Sequence, residues 1–455
     1  MRSLIAIILL TGSQLVLAAG PVHEFYLDNG LKLVVKEDHR APVVVSQVWY
    51  RVGASYEHDG ITGVSHVLEH MMFKGTDKYP PGEFSRIIAE NGGRENAFTS
   101  QDFTAYFQRL EKSRLPVSFE LEADRMRHLN LQDKDFQKEI KVVMEERRLR
   151  TDDKPTSLTY EQFIATAFIS SPVRIPTIGW MDDLENMQLD DLQTWYERWY
   201  APNNAIVVVV GDVDPDAVLA LAKKHFGPLK PEKIISPKPR LEPKQSGMRH
   251  ITVKAPAEVP YLIMGYKVPV LKTAGEDWEP YALDVLSSIL DGGDSARLAR
   301  ELVRGSRVAS SAGAGYDLYE RQQTLFLLSG IPSDTHTITD LQDALLEQVK
   351  RLQESPVSED ELARVKTAVV ASEVYQQDST FYQAMRLGKL EAVDLDWQLL
   401  DEYVDRISAV TAEQVKAVAK KYLVEDQLTI GVLDPLPIEK GKKKRAAVSG
   451  GGHGH

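Results

Sequence analysis

The 455-residue chain contains no cysteine. This absence excludes disulfide bonds, thiolate metal ligands, a cysteine nucleophile and a lipid-modified cysteine after a signal sequence. Positive charge is also scarce, because 54 lysine and arginine residues stand against 66 aspartate and glutamate residues, for a formal net charge of -12. Such a chain has no excess cationic surface with which to neutralise phosphates, so we do not expect nucleic acid as a general partner.

No stable membrane span is predicted, because the apolar run at the N-terminus is short. Arg2 precedes this run, which covers residues 4–10 (LIAIILL), and residues 16–19 (VLAA) offer small residues for cleavage. The pattern predicts a secretory signal peptide over residues 1–19, with an uncleaved anchor as the alternative. A secreted chain without cysteine suits a bacterial periplasm, where we expect the mature protein to reside.

The most informative pattern present is His-Val-Leu-Glu-His at residues 66–70. In a helix, His66 and His70 lie on one face about 6 Å apart in rise, so both imidazoles can reach one metal ion. A catalytic zinc site needs three protein ligands, an open position for water and a carboxylate that takes the proton of that water. The motif supplies two ligands, and Glu69 supplies the base. The alternative is a solvated polar helix face.

The third ligand must come from another segment, and residues 133–150 (DKDFQKEIKVVMEERRLR) are rich in carboxylates. Glu139 and Glu146 are seven residues apart, so two helical turns place them on one face. One can bind the metal while the other supports the site. Spacing alone does not choose between Glu145 and Glu146, and an exposed helix face with Glu to Arg pairs is the alternative.

Three segments together resemble the signature blocks of the pitrilysin/insulinase family of zinc metallopeptidases, which includes the mitochondrial processing peptidases. These segments are HVLEHMMFKGT, GGRENAFTSQDFTAYF and KEIKVVMEERR. The resemblance implies one zinc ion per chain, with His66, His70 and Glu146 as ligands. It also implies Glu69 as the general base and Glu139 as a supporting carboxylate of the catalytic site. The implied function is a zinc endopeptidase that hydrolyses peptides or unfolded segments, and the predicted signal peptide indicates that it is secreted.

Residues 97–107 alternate in polarity and predict one strand with a buried face. An edge strand can add an extended peptide through main-chain hydrogen bonds, without requiring a particular side chain. The resemblance places this strand beside the zinc site and gives it four substrate-binding residues. They are Asn96, Ala97, Phe98 and Thr99. An ordinary sheet strand is the alternative.

The body of the chain indicates a duplicated domain. A predicted helix that ends at Tyr200 is followed by a buried strand, and the same order recurs after a helix that ends at Tyr422. We therefore expect two domains, and the resemblance implies an α+β fold in which each domain is a largely antiparallel sheet packed with helices. The resemblance implies that they form a clamshell with a Pro-rich and Lys-rich linker as hinge.

The predicted boundaries follow from these patterns. They are a signal peptide at 1–19, a zinc-binding domain at 20–227, a linker at 228–247, a homologous domain without the zinc motif at 248–438 and a disordered tail at 439–455. The tail contains His453 and His455, and these histidines are a second, weaker candidate for metal binding.

The second half departs from the family pattern at one place. Many members carry an Arg-x6-Tyr pair in a stretch that resembles ELREKRGLAYS, and both side chains contact the substrate or the developing oxyanion. Here Val303 stands at the Arg position and Ser310 at the Tyr position. Substitution in a shifted register stays open for Arg304, Arg307 and Tyr316.

The missing pair has a consequence for assembly. Because some two-domain members of the family pair with a related subunit that lacks the zinc motif but keeps the Arg and the Tyr, the resemblance implies a hetero-oligomer with such a paralogue. The alternative function is a catalytically weak or silent peptide-binding or scaffold subunit of a hetero-oligomeric peptidase.

Overall fold

The computed structural model of the chain describes residues 20–438, so the predicted signal peptide and the predicted tail lie outside the described residues. The strands are β1 (Val22–Tyr26), β2 (Lys32–Glu37), β3 (Val43–Tyr50), β4 (Arg94–Thr99), β5 (Thr104–Glu111), β6 (Ala205–Gly211), β7 (Arg249–Pro256), β8 (Tyr261–Val268), β9 (Ala309–Gly315), β10 (Thr324–Pro332) and β11 (Leu428–Leu436).

Helices connect these strands and cover the sheets. They are α1 (Val64–Met71), α2 (Glu83–Glu90), α3 (Leu115–His128), α4 (Asp133–Arg147), α5 (Pro155–Ala167), α6 (Met181–Asn186), α7 (Leu189–Trp199), α8 (Pro215–His225), α9 (Glu279–Asp291), α10 (Ile338–Glu354), α11 (Glu359–Gln376), α12 (Thr380–Ala392), α13 (Leu399–Ala409) and α14 (Ala412–Tyr422). Two π-helical segments, Arg148–Asp152 and Leu298–Gly305, follow α4 and precede β9.

Two sheets repeat one topology. The first has the order β1-β2-β6-β3-β5-β4 and the second has the order β7-β11-β8-β10-β9. The pairs β2 with β6 and β7 with β11 are parallel, and the remaining pairs are antiparallel. Five strands therefore match in order and direction between the halves, with β1 added at one edge. The predicted α+β class with two largely antiparallel sheets is confirmed.

The prediction of a single strand over residues 97–107 is wrong. The segment forms a hairpin in which β4 and β5 are antiparallel and Thr99 lies opposite Thr104. Between them the Ser100 N–H donates to the Phe103 carbonyl at 2.8 Å, and Ser55 donates to the Asp102 carboxylate at 2.6 Å. Burial does not alternate regularly through the two strands, and the polar residues 100–102 form the turn where the chain reverses.

One helix of each half packs on the sheet of the other half. Helix α5 packs on β7 and β11, where the buried Phe163 ring lies against Gly265 and Gly431. Helix α12 packs on β3 and β6, and a Cβ at Gly388 would overlap the Trp49 indole. Glycine permits these close approaches because it has no side chain. The two sheets are thus joined by apolar packing in both directions.

The segment between the halves, residues 230–246, adopts neither helix nor strand. Glu242 in this segment accepts hydrogen bonds from the N–H groups of Ile169, Ser170 and Ser171, and Lys267 Nζ lies 2.8 Å from its carboxylate. The connection is therefore pinned to both halves. Within residues 20–438, no helix is both long enough and apolar enough to cross a membrane.

Candidate metal centre

Helix α1 carries the His-Val-Leu-Glu-His motif and begins after Gly63. Gly63 has φ +89°, and a Cβ there would meet the Ile178 carbonyl, so this position requires glycine. The buried Glu57 carboxylate accepts hydrogen bonds from the N–H groups of Gly63 and Ser65, at 2.7 and 2.8 Å. These bonds satisfy N–H groups that the first turn of a helix leaves without partners. Burial raises the pKa of Glu57 to about 7.

The motif helix packs against α4, which brings Glu146 to the two histidines. One ligand atom each from His66, His70 and Glu146 lies within 4.8 Å of the others. Glu146 Oε2 is 3.4 Å from His70 Nε2 and 3.8 Å from His66 Nε2. The three side chains thus converge on one point, with His66 buried and the other two partly buried.

This donor set fits a zinc ion. Bonds of about 2.0 to 2.1 Å in a tetrahedral arrangement separate neighbouring ligand atoms by about 3.3 Å, which is close to the two distances that Glu146 makes here. Two imidazoles and one carboxylate also leave the fourth position for water, as catalytic zinc sites do. A site built from carboxylates alone would instead suit magnesium or calcium.

Glu145 points elsewhere. Its carboxylate lies 3.2 Å from Arg148 Nη1, and its side chain is 39% exposed, compared with 16% for Glu146. Burial raises the pKa of Glu146, but the hydrogen bond from His70 and the charges nearby lower it to about 2. Glu146 is therefore ionised at neutral pH, as a metal ligand must be.

Glu139 lies behind His70, one layer away from the converging ligand atoms. Its Oε2 is 3.4 Å from His70 Nδ1, and its Oε1 is 2.6 Å from Lys74 Nζ. Burial raises the pKa of Glu139, yet the hydrogen bonds from His70 and Lys74 keep it below its usual value. A carboxylate on the far nitrogen fixes the tautomer and the orientation of a histidine ligand, so Glu139 is placed to act through His70.

Glu69 lies beside the same point and is 4% exposed. Thr99 Oγ1 donates to Glu69 Oε2 at 2.6 Å, which ties the end of β4 to this carboxylate. Burial raises the pKa of Glu69 to about 7, against the opposing effects of Thr99 and His70. A carboxylate of this kind, next to three ligands but outside the set, is placed to receive a proton from water.

Strand β4 forms an edge of the first sheet and, within residues 20–438, pairs only with β5. Ala97 is buried in the core, and Asn96 is partly buried. Phe98 and Thr99 line a cavity of about 890 Å³ that His66 also lines. Two of the four predicted substrate-binding side chains therefore face this cavity, while the free edge of the strand is available for main-chain pairing.

The cavity lies between the two halves. Helix α5 and residues 173–178 form one wall. The second half contributes Tyr261, Glu320, Gln322, Gln323, Thr324, Leu325 and Leu327. The apolar lining of the cavity consists of Phe98, Tyr160, Ile164, Phe168, Val173, Ile175, Pro176, Ile178, Tyr261, Leu325 and Leu327. Apart from Phe98, the sequence does not single out these residues. The one local signal is the spacing of Tyr160 and Ile164, which places both on one face of α5, while Phe168 follows the end of that helix.

Val303 and Ser310 are not among the described residues that line this cavity. Arg304 donates to the Asp294 carbonyl, and Tyr316 donates to the Pro269 carbonyl at 2.7 Å. Arg307 adopts φ +58° in the turn before β9. None of the three alternatives for the missing pair reaches the described cavity wall.

Comparisons with known proteins identify the family of the chain. The model of the insulinase family, peptidase family M16, matches residues 32–179, and the model of the M16 inactive domain matches residues 186–369. The zinc protease PqqE of Helicobacter pylori is 36% identical over 421 residues, which cover 91% of this chain and 93% of that protein.

Further relatives extend the likeness. An uncharacterised zinc protease of Mycobacterium leprae is 28% identical over 422 residues, with 91% of this chain and 92% of that protein covered. The crystal structure of a protease from Helicobacter pylori superposes with a TM-score of 0.87 at 33% identity, and the match covers 91% of this chain and 100% of that chain.

Proposed function

Because the chain belongs to the insulinase family of peptidases (M16), we propose that it is a zinc-dependent endopeptidase that hydrolyses peptides or unfolded segments. The observation that carries the proposal is the convergence of His66, His70 and Glu146 beside the buried Glu69. We propose that these three residues bind one zinc ion per chain. When bound, zinc supplies Lewis-acid activation of water and of the scissile carbonyl.

Glu69 is the general base in this proposal. Thr99 binds its Oε2, so its Oε1 takes a proton from the attacking water and then delivers it to the leaving amine. Glu139 holds His70 through Nδ1 and keeps Nε2 directed at the metal position. Its contribution to catalysis is therefore positional.

The free edge of β4 supports the choice of an extended peptide as substrate. Main-chain pairing along residues 96–99 would align a peptide beside Glu69, because Thr99 at the end of this strand already contacts that residue. Side chains of the peptide would then enter the cavity next to His66. Unfolded segments fit this geometry, because their main chain is free to become extended and to pair with β4.

The test combines metal content with hydrolysis. We expect zinc-loaded protein to cleave an unstructured peptide, and we expect Glu69→Gln to keep zinc while turnover falls by several orders of magnitude. Hydrolysis by Glu69→Gln at the wild-type rate would refute the assigned base. A wild-type protein that binds no zinc would refute the proposal as a whole.

A second candidate function rests on Val303, whose side chain has no hydrogen-bond donor, and on Ser310, whose hydroxyl donates to the Ile331 carbonyl at 3.2 Å. Loss of one oxyanion donor costs about 3 to 4 kcal/mol, or roughly 100-fold to 1,000-fold in rate. We propose that a paralogue without the zinc motif supplies the Arg and the Tyr in a hetero-oligomer. Peptide hydrolysis should then be weak for the isolated chain and rise on addition of that paralogue. Zinc binding without hydrolysis in either preparation would favour a silent peptide-binding subunit.

Residues 1–19 support secretion, and we propose that the mature protein resides in a bacterial periplasm. Fractionation and N-terminal sequencing of the mature protein test this, and an intact residue 1 on a cytoplasmic protein would contradict it. We also propose the domain limits 20–227 and 248–438, with residues 228–247 as the linker. Limited proteolysis should cut first in that linker.

A further inference from the structure

Arg321 reaches from the second half of the chain to the turn between β4 and β5. Its Nε donates to Asp102 Oδ1 at 2.9 Å, and its Nη2 donates to Ser55 Oγ at 2.6 Å. The main-chain N–H of Arg321 donates to Asp102 Oδ2 at 3.3 Å. The guanidinium also lies 4.3 Å from the centre of the Tyr56 ring. One residue of the second half thus binds three residues of the first half.

This contact is largely removed from solvent. The Asp102 side chain is 5% exposed and the Arg321 side chain is 22% exposed. An ionised carboxylate buried to that extent depends on its partners, and removal of a partner leaves the charge uncompensated. Ser55 donates to the same carboxylate at 2.6 Å, so Asp102 is held from both halves of the chain.

The turn between β4 and β5 is also connected to Glu69, the proposed base. The N–H groups of Ala54 and Ser55 donate to the carbonyls of Ser100 and Gln101, at 3.1 and 2.7 Å. Thr99 immediately precedes these residues, and its hydroxyl donates to Glu69 at 2.6 Å. A displacement of the turn would therefore move both the edge of β4 and the hydroxyl that orients Glu69.

From this continuous set of contacts we infer that Arg321 is a positioning residue, which sets the β4–β5 turn and, through Thr99, the carboxylate of Glu69. The inference rests on the proposed peptidase function for its catalytic part. It gives the half without a zinc motif a defined task in the chemistry of the other half. Arg321 touches neither the metal position nor the reacting atoms, so its effect is indirect.

The experiment compares Arg321→Met, Arg321→Lys and the matched control Arg297→Met. Arg297 forms a comparable ion pair with Glu361, at 3.0 and 2.6 Å, but both partners lie in the second half. All variants are prepared as full chains with zinc and assayed with the paralogue where it is needed for activity. We measure zinc content, kcat and KM for an unstructured peptide, and hydrogen exchange of the amides of residues 96–103.

We expect Arg321→Met to lower kcat by about 10-fold or more per zinc-loaded site, because a small misplacement of a catalytic group is costly, and to speed exchange in residues 96–103. Arg321→Lys should recover part of both effects because it keeps the charge. Arg297→Met should change neither quantity. Unchanged exchange in Arg321→Met, or faster exchange with unchanged kcat, would overturn the inference.

Failure of the proposed function gives a different result. A wild-type chain without hydrolysis, alone or with the paralogue, removes the peptidase assignment, while the exchange measurement still decides whether Arg321 holds the turn. If Arg321→Met does not fold, Asp102→Asn serves as the second variant, because it keeps the shape of the carboxylate and removes its charge. It should reproduce the faster exchange, and wild-type exchange in Asp102→Asn would overturn the inference.

Discussion

Replacement of Glu146 by glutamine tests the metal centre directly, because it keeps the shape of the side chain and removes its charge. The Glu146 carboxylate lies 3.4 Å from His70 Nε2 and 3.8 Å from His66 Nε2. Its other oxygen is 2.9 Å from Arg150 Nε, a contact that the amide oxygen of glutamine can keep. The variant should therefore fold normally and lose one anionic ligand.

The expected loss of zinc affinity follows from whether the altered residue binds the metal directly or only supports a ligand. Loss of a partner that only supports a ligand costs about 10-fold to 100-fold in metal affinity. Loss of a charged ligand must cost more, so we expect the zinc affinity of Glu146→Gln to fall by more than about 100-fold, or about 2.7 kcal/mol. Competition against a chelator of known zinc affinity, at neutral pH, measures this difference.

Glu145→Gln is the matched control, since it makes the same chemical change at the adjacent position. Its carboxylate pairs with Arg148 at 3.2 Å, away from the histidines. We expect wild-type zinc affinity in this variant. Wild-type affinity in Glu146→Gln together with zinc loss in Glu145→Gln would show that the ligand assignment is wrong.

Three further outcomes are expected. Arg150→Met should lower zinc affinity by about 10-fold to 100-fold, because Arg150 holds the carboxylate of Glu146, and unchanged chelator competition would contradict this. Phe163→Ala should lower the free energy of unfolding, measured by urea denaturation, by about 3 to 5 kcal/mol, because the ring is fully buried between α5 and the second sheet. A loss below about 1 kcal/mol would argue against that packing. Burial raises the pKa of Glu57 from 4.5 to about 7, so its contribution to stability is complete below pH 4.5 and is lost as the pH rises towards 7. The melting temperature of Glu57→Gln should therefore vary less than that of the wild type between pH 5 and 8, and an identical pH dependence would refute this.

The sequence predicts the parts of the site that are local. His66, Glu69 and His70 lie within one helical turn, so their relative placement follows from helix geometry alone. The choice of Glu146 over Glu145 needed the family resemblance, because both residues occupy the same stretch of helix. Only the packing of α4 against α1 shows which of the two reaches the histidines.

The nonlocal features are the ones that the sequence does not reveal. The apolar face of α5 predicts burial but does not say which sheet covers it, and the structure places it on the sheet of the other half. The reversal between β4 and β5 depends on contacts of Asp102 with Ser55 and Arg321, which are distant in the chain. Residues 320–327 are also far along the chain from the rest of the cavity lining, so the sequence does not show that this segment contributes to the cavity wall.

The exchange of helices between the halves has a consequence for the order of events during synthesis. The face of the first sheet that includes Val34, Trp49 and Val208 is apolar, and α12 covers it. That sheet is complete when Gly211 has been made, yet its cover ends at Ala392. At about 5 to 20 residues per second, the ribosome needs roughly 10 to 40 s to make the intervening chain. During that interval an apolar surface stays exposed to whatever else the nascent chain meets, so the first half alone should aggregate, and a soluble, monomeric fragment of residues 20–227 would show that it does not depend on α12.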